Sequence, residues 1–382
     1  MSMFGFVILS VVAQIPTFDK IKAFRKDPMN TIMRAFGVLC LGLGIFSYYF
    51  DRPITSVCIF YTLWIAAYVA APSRRYQTAS QACRDMTGKT VMVTGCTSGI
   101  GVDTVKALAK RGAHVYMVAR SAEKLKRLKD SIKGKCETIV CDLSDLKAVR
   151  NCAKIFLSDV SSGKISGLDV LILNAGVMAL EHREETQQGF EKQVGVNHIA
   201  HFTLTKLLLP ALQRSAPSRI VSVSSSAHRM CDPVYILDQQ NVNLETIPYD
   251  PWIAYGNSKY SNVLFVEYLN RMYAGEDGRG VTAYAVMPGG IFTGLQDSVS
   301  MSIMAKWMVV APFFFKSTSQ GASTTLTCAT APGIEKYSGR YFENCKPSKP
   351  RAFKKLKDID SAKILWQRTE SLVKNYSGSI LD

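Results

Sequence analysis

Acidic residues are scarce in this chain of 382 residues: 30 Asp and Glu stand against 46 Lys and Arg, leaving a net charge of +16. Such an imbalance suggests an anionic partner, whether nucleic acid, an anionic membrane face or a phosphorylated cofactor. No nucleic-acid-binding motif accompanies it. The ten cysteines include no Cys-x-x-Cys pair and no Cys/His cluster at zinc spacing, which excludes a structural zinc site. The chain is too long to need disulfide staples, so the thiols read as reduced core residues in a body that faces the cytosol. Cys96 reads as a small residue in a tight turn. There is no internal repeat. Hydrophobic residues at 47% and charged residues at 20% exclude disorder and fibrous architectures. No positive charge precedes the short apolar stretch Met3 to Ala13, so it is a poor signal peptide. At ~100–200 residues per domain, the length allows one large domain or two smaller ones.

Residues 1–88 differ in texture from the rest. A basic stretch from Asp19 to Lys26 precedes two uncharged runs, about 35–50 and 54–72, with Asp51-Arg52-Pro53 between them and Arg74-Arg75 after them. A membrane span takes ~20 apolar residues, with a range of ~17–25. The runs therefore read as a membrane-associated helical hairpin, the alternative being a pair of buried core helices. Residues 1–89 carry ten basic residues and four acids, nearly all the basic ones outside the hairpin, so both ends are expected to face the cytosol.

From Lys89 short apolar runs alternate with helical spacing: Thr90 to Thr94, His114 to Val118, Thr138 to Cys141, Asp169 to Leu173, Arg219 to Val223 and Val281 to Met287 read as strands. Such alternation predicts an α/β fold, a Rossmann-type doubly wound parallel sheet over residues 89–345. Residues 346–382 follow as a basic C-terminal tail and helix, with Lys346, Lys349, Arg351, Lys354, Lys355 and Lys357 in one run.

The first strand ends in Thr94-Gly95-Cys96-Thr97-Ser98-Gly99-Ile100-Gly101. Glycines at these places allow a tight turn and a close approach of pyrophosphate to the amides that open the next helix. The second strand ends in Arg120, where an acid would select NAD(H). An arginine can instead pair with the 2′-phosphate of NADP(H). Cys141-Asp142-Leu143 and Asn174-Ala175-Gly176 end the next two strands and line the same crevice. Further on, Tyr255 and Lys259 share a helix face, and Ser224-Ser225-Ser226 ends a strand. A nearby ammonium is expected to lower the pKa of the phenol towards neutrality, which suits it to proton exchange with a carbonyl or alcohol oxygen.

These segments, in this order, resemble the short-chain dehydrogenase/reductase family over residues 88 to 345. The glycine loop is similar to the family's TGxxxGIG, and Asn174-Ala175-Gly176 to its NAG turn. Asp142 matches the acid that contacts adenine. Met287 to Thr293 resembles the PGxxxT segment beside the nicotinamide, which implies that Pro288, Gly289, Ile291 and Thr293 bind cofactor. The resemblance implies a catalytic tetrad of Asn197, Ser225, Tyr255 and Lys259, with Ser224 and Ser226 flanking the serine chosen. In it Tyr255 is the acid/base, Lys259 tunes it and holds the nicotinamide ribose, Ser225 bonds the substrate oxygen, and Asn197 orients a water in a proton relay to Lys259.

Within the family, Val196 to Phe202, Ser224 to His228, Gly339 to Phe342 and Leu365-Trp366 resemble the membrane-anchored retinol dehydrogenase branch. That resemblance implies an NADP(H)-dependent oxidoreductase for a lipid alcohol and its carbonyl, in the endoplasmic reticulum membrane with the catalytic body towards the cytosol. The apolar stretch Met301 to Phe315 matches the segment that forms a substrate lid, or else a helix packed on the core. Expected partners are a hydrophobic small molecule and membrane lipid, without nucleic acid, and a homodimer is left open. The alternatives are a steroid or fatty-aldehyde reductase and a cofactor-binding scaffold without turnover.

Overall fold

The computed structural model describes residues 77–232, 248–291, 315–350 and 360–377. The expected hairpin, Thr293, nearly all of the apolar stretch 301–315 and the basic run from Arg351 to Lys357 lie outside the described residues. By its internal contacts the chain divides into two units, 1–76 with 302–317 and 77–301 with 318–382. The sheet belongs to the second. Among the described residues no helix is long and apolar enough to cross a membrane.

Six strands pair in parallel: β1 (Thr90–Thr94), β2 (His114–Ala119), β3 (Cys136–Val140), β4 (Val170–Leu173), β5 (Ser218–Val223) and β6 (Val281–Met287). β7 (Tyr341–Glu343) continues the sheet in parallel beside β6, and β8 (Lys346–Ser348) closes the edge antiparallel to it. The order is β8-β7-β6-β5-β4-β1-β2-β3. The first residues of the expected basic tail thus form an edge strand.

Strand periodicity sorts the apolar residues onto two faces. Met92, Tyr116, Leu171, Ile220 and Ala283 join one core with α3 (Leu146–Ser161), α4 (Ala200–Arg214), α5 (Pro251–Tyr273) and α7 (Ser361–Ser377). Val91, Val93, Val115, Ile172, Val221 and Tyr284 join the other with α1 (Gly99–Lys110), α2 (Ala122–Asp130) and α6 (Thr318–Thr330). Because both faces are covered, the strands read as nearly unbroken apolar runs. Residues 77–88 also pack here: Ala79, Ala82, Cys83 and Met86 are buried in the second core, and Ser319 of α6 accepts a hydrogen bond from the Ala79 amide at 3.1 Å. The chain leaves β1 towards β2 on one side, while β4 lies on the other. Loops from the carboxyl ends of β1 and β4 therefore bound a crevice at a switch point, where open α/β sheets bind ligands.

Candidate active site

The glycine loop between β1 and α1 is held by close backbone approach. Gly95 has φ +65°, and a Cβ there would stand 2.5 Å from the Cα of Ala175. At Gly101 a Cβ would stand 2.3 Å from the Gly95 carbonyl oxygen. The Asn174 side chain ties the two loops, donating to the Thr94 and Gly95 carbonyls at 3.0 Å each. Ser98, the N-cap of α1, makes no side-chain capping bond, and no acid occupies the first turn. Uncapped amides at the positive end of a helix, beside a loop whose Gly95, Gly99 and Gly101 lack side chains, fit the pyrophosphate of a dinucleotide.

α5 starts sharply because Asp250 accepts from the Trp252 and Ile253 amides at 2.8 Å each and Pro251 takes the first position. Its spacing puts Tyr255, Ser258, Lys259 and Asn262 along one side. Lys259 Nζ donates to the Val223 carbonyl at 3.1 Å, and Asn262 Nδ2 donates to the same oxygen at 3.2 Å. In return Ser224 donates its hydroxyl to the Lys259 carbonyl at 2.7 Å. The end of β5 is thus fixed to α5, and the three serines separate. Ser224 is buried in this bond, Ser226 is exposed, and half-buried Ser225 interacts with the Tyr255 hydroxyl. Gly256 allows the turn after Ser225 to lie against α5, since a Cβ would come within 2.8 Å of the Ala227 carbonyl oxygen.

Asn197 lies in a π-helical turn, Gly195–Ile199, that leads into α4. Its Oδ1 accepts from the Val177 amide at 2.8 Å, and its Nδ2 donates to the Val177 carbonyl and to Ser258 Oγ at 2.9 Å each. The side chain is a clamp between the Asn174-Ala175-Gly176 turn and α5. Gly176 leaves room between the two, with its missing Cβ 3.1 Å from Asn197 Oδ1 and 3.4 Å from Lys259 Nζ.

The electrostatics differ from the sequence expectation. Burial pushes the Tyr255 phenol up to about 12, against a smaller lowering by the Ser225 hydrogen bond. Burial also pulls Lys259 down to about 8. The lysine ammonium stands 5.6 Å from the tyrosine ring centre and is turned to Val223, so it does not offset the desolvation. A phenol held neutral is a proton donor, and the group Ser225, Tyr255 and Lys259 can therefore protonate a carbonyl oxygen.

The other expected residues sit around this centre. Thr94 is fully buried and accepts from the Asn174 and Ala175 amides at 3.0 and 3.1 Å. Thr97, Gly99 and Ile100 are half-buried along the loop. Ile291 is buried, and Gly321 of α6 leaves space for it and for Ile100. Pro288 is buried, and Gly289 turns with φ +101°. Arg120 and Asp142 are exposed at the ends of β2 and β3. Arg120 has no ion pair among the described residues, while Asp142 accepts from the amide and hydroxyl of Ser144 at 2.9 and 2.8 Å. Leu143 beside it is buried. Cys96 is buried with its thiol raised to about 12, as suits a packed turn residue. Sequence reasoning missed Gly256, Ser258, Asn262 and His201. The first three could have been found by extending the Tyr255 helix face, and His201 by its place four residues after Asn197.

Comparison with known proteins agrees. The short chain dehydrogenase family profile matches residues 89–236. Human retinol dehydrogenase 11 is 41% identical over 287 residues, covering 73% of this chain and 85% of the relative. Human retinol dehydrogenase 12 is 38% identical over 310 residues, 78% of this chain and 92% of the relative. Human WW domain-containing oxidoreductase is 37% identical over 310 residues, 78% of this chain and 70% of the relative. An uncharacterized Mycobacterium paratuberculosis protein of known crystal structure superposes with a TM-score of 0.60 at 32% identity, covering 78% of this chain and 98% of that one. Identity of this extent, over most of each relative and on a sheet with this glycine loop, means that the chain belongs to the short-chain dehydrogenase/reductase family and is an oxidoreductase related to the retinol dehydrogenases.

Proposed function

We propose that the chain is a membrane-anchored, NADP(H)-dependent oxidoreductase that interconverts a hydrophobic alcohol, retinol-like or polyprenol-like, with its carbonyl. The observation that carries the reading is Tyr255, buried beside Ser225 and Lys259, with Gly176 of the Asn174-Ala175-Gly176 turn against the lysine. The names of the relatives support a lipid alcohol, and the two apolar runs before residue 76 support an anchor. Arg120, exposed where an acid would bind a ribose hydroxyl, supports the 2′-phosphate.

The bound dinucleotide supplies or takes the hydride. In reduction, Tyr255 gives its proton to the substrate oxygen while Ser225 donates a hydrogen bond to that oxygen as charge develops. Lys259, its ammonium 5.6 Å from the Tyr255 ring centre, would hold the nicotinamide ribose. Asn197 fixes the turn that faces the cofactor. The glycine loop and the start of α1 would hold the pyrophosphate.

The deciding test is turnover by the detergent-solubilised full chain of retinal, a polyprenal, a steroid ketone and a series of straight-chain aldehydes. NADPH is expected to outperform NADH. Each CH₂ moved from water to an apolar groove is worth ~0.8 kcal/mol, so kcat/KM should rise with chain length. Preference for the shortest aldehyde would overturn the lipid reading. Exposed Asn375, in Asn375-Tyr376-Ser377, reports topology: it stays unmodified if the body is cytosolic, and a glycan there would place the body in the lumen.

A further inference from the structure

The imidazole of His201, on the first turn of α4, is buried and lies between two parts of the site that are far apart in sequence. Its Nδ1 is 3.1 Å from the main-chain oxygen of Asn197, and its Nε2 is 3.0 Å from Thr94 Oγ1. A carbonyl oxygen can only accept, so Nδ1 carries the hydrogen and Nε2 is the acceptor. The Thr94 hydroxyl hydrogen then points to Nε2. Its alternative acceptor, the Ile172 carbonyl, is 3.5 Å away. With the hydrogen so directed, the oxygen lone pairs face the Asn174 and Ala175 amides, which they receive at 3.0 and 3.1 Å. Burial, with Lys259 adding to it, holds the imidazole far below the usual histidine range, to about 3, so the acceptor nitrogen stays free of a second proton.

We infer that His201 is a positioning residue, a single-tautomer imidazole that sets the distance between the glycine loop with its neighbouring Asn174 turn and the π-helical turn that carries Asn197. It touches neither substrate nor cofactor. It acts through Thr94, whose hydroxyl it orients, and through the main chain of Asn197. The two loops it joins are the ones a dinucleotide would lie against, so NADPH affinity is the property it controls. This inference rests on the proposed dinucleotide site.

The test is a double-mutant cycle on NADPH binding to the full chain without substrate, read by NADPH fluorescence, with thermal unfolding measured in parallel. His201→Phe keeps a ring but removes both bonds, and Thr94→Val removes the hydroxyl. His201→Phe is expected to weaken NADPH by about three- to tenfold, the range of a neutral hydrogen bond, and Thr94→Val by more, since it also leaves the Asn174 and Ala175 amides without their acceptor. The double variant should lose less than the sum of the two single losses, because the Thr94–His201 bond is counted in both, while Thr94→Val alone removes the two amide bonds and His201→Phe alone the bond to Asn197. His201→Gln can still accept from Thr94 and should recover most of the affinity. If His201→Phe does not fold, His201→Leu carries the same test, with weakened NADPH binding supporting the inference and wild-type affinity overturning it. Additive losses in the cycle would overturn it, as would a folded His201→Phe protein with wild-type affinity and only a lower Tm. Failure of the unmutated chain to bind NADPH would instead overturn the proposed function.

Discussion

The rim and the floor of the crevice are built on opposite terms. At the rim, Arg120 and Asp142 end β2 and β3 in solvent, and the Asp142 side chain bonds to Ser144 two residues on. On the floor, Asn197, Tyr255 and Lys259 are buried, and each polar head is engaged with a different segment of the chain. Substitution at the rim therefore carries little structural cost. Floor residues combine chemistry with packing, so their substitution changes both, except where the replacement keeps the shape.

Tyr255→Phe is such a replacement and gives the largest effect. Loss of the proton donor should lower kcat by about 10²–10⁴, with NADPH affinity and Tm nearly unchanged. Near-normal turnover would remove Tyr255 from the chemistry and break the comparison.

Lys259 comes next, through stability. Its folded pKa is lowered to about 8 from 10.5. Below pH 8 the ammonium is charged in both states, and folding bears the full burial cost. Between those two values the unfolded chain holds the proton that the folded chain has lost, so stability rises with pH. Lys259→Met should thus stabilise the cofactor-free protein most at neutral pH, by on the order of 3 kcal/mol at most, and progressively less by pH 9.5. Denaturant unfolding at the two pH values measures it. A gain that is independent of pH would show that the lysine is not desolvated as the floor requires.

Arg120→Ala sharpens the contrast from the other side. A charge-assisted hydrogen bond is worth ~1.5–3 kcal/mol, so NADPH binding should weaken roughly tenfold to hundredfold. NADH binding should hardly move, and Tm should stay put because the side chain is exposed. Equal losses for both coenzymes would contradict a 2′-phosphate contact.

The smallest difference is between neighbours. Ser224→Ala removes a buried bond to the Lys259 carbonyl and should cost about 1 kcal/mol of stability. Ser226→Ala, at an exposed position, should stay within about 0.5 kcal/mol. Equal stabilities of the two would mean that Ser224 does not tie β5 to α5.

Much of the rim was readable from sequence because its signals are local. The strand before the glycine loop, the helix after it and Arg120 at the next strand end lie within one βαβ stretch, and their geometry follows from glycine freedom, helix-end amides and strand period. The family pattern also singled out Asn197, Ser225, Tyr255 and Lys259, which the structure brings together. The protonation of the floor was not. A lysine four residues from a tyrosine suggests a lowered phenol pKa, yet Tyr255 is raised to about 12. Desolvation is set by everything that surrounds the ring, while the lysine ammonium is drawn away to Val223.

By itself, then, the sequence determined the alternation of strands and helices, the glycine loop and the candidates for proton transfer, because backbone preference and side-chain period act over a few residues. Only the tertiary structure decided which of three adjacent serines meets Tyr255, that the Asn197 side chain clamps Val177 to α5, and that His201 joins Thr94 to the Asn197 turn. Apart from the His201–Asn197 bond, which spans four residues, those choices depend on hydrogen bonds between segments 20 to 107 residues apart, whose partners exist only once both cores have closed over the sheet.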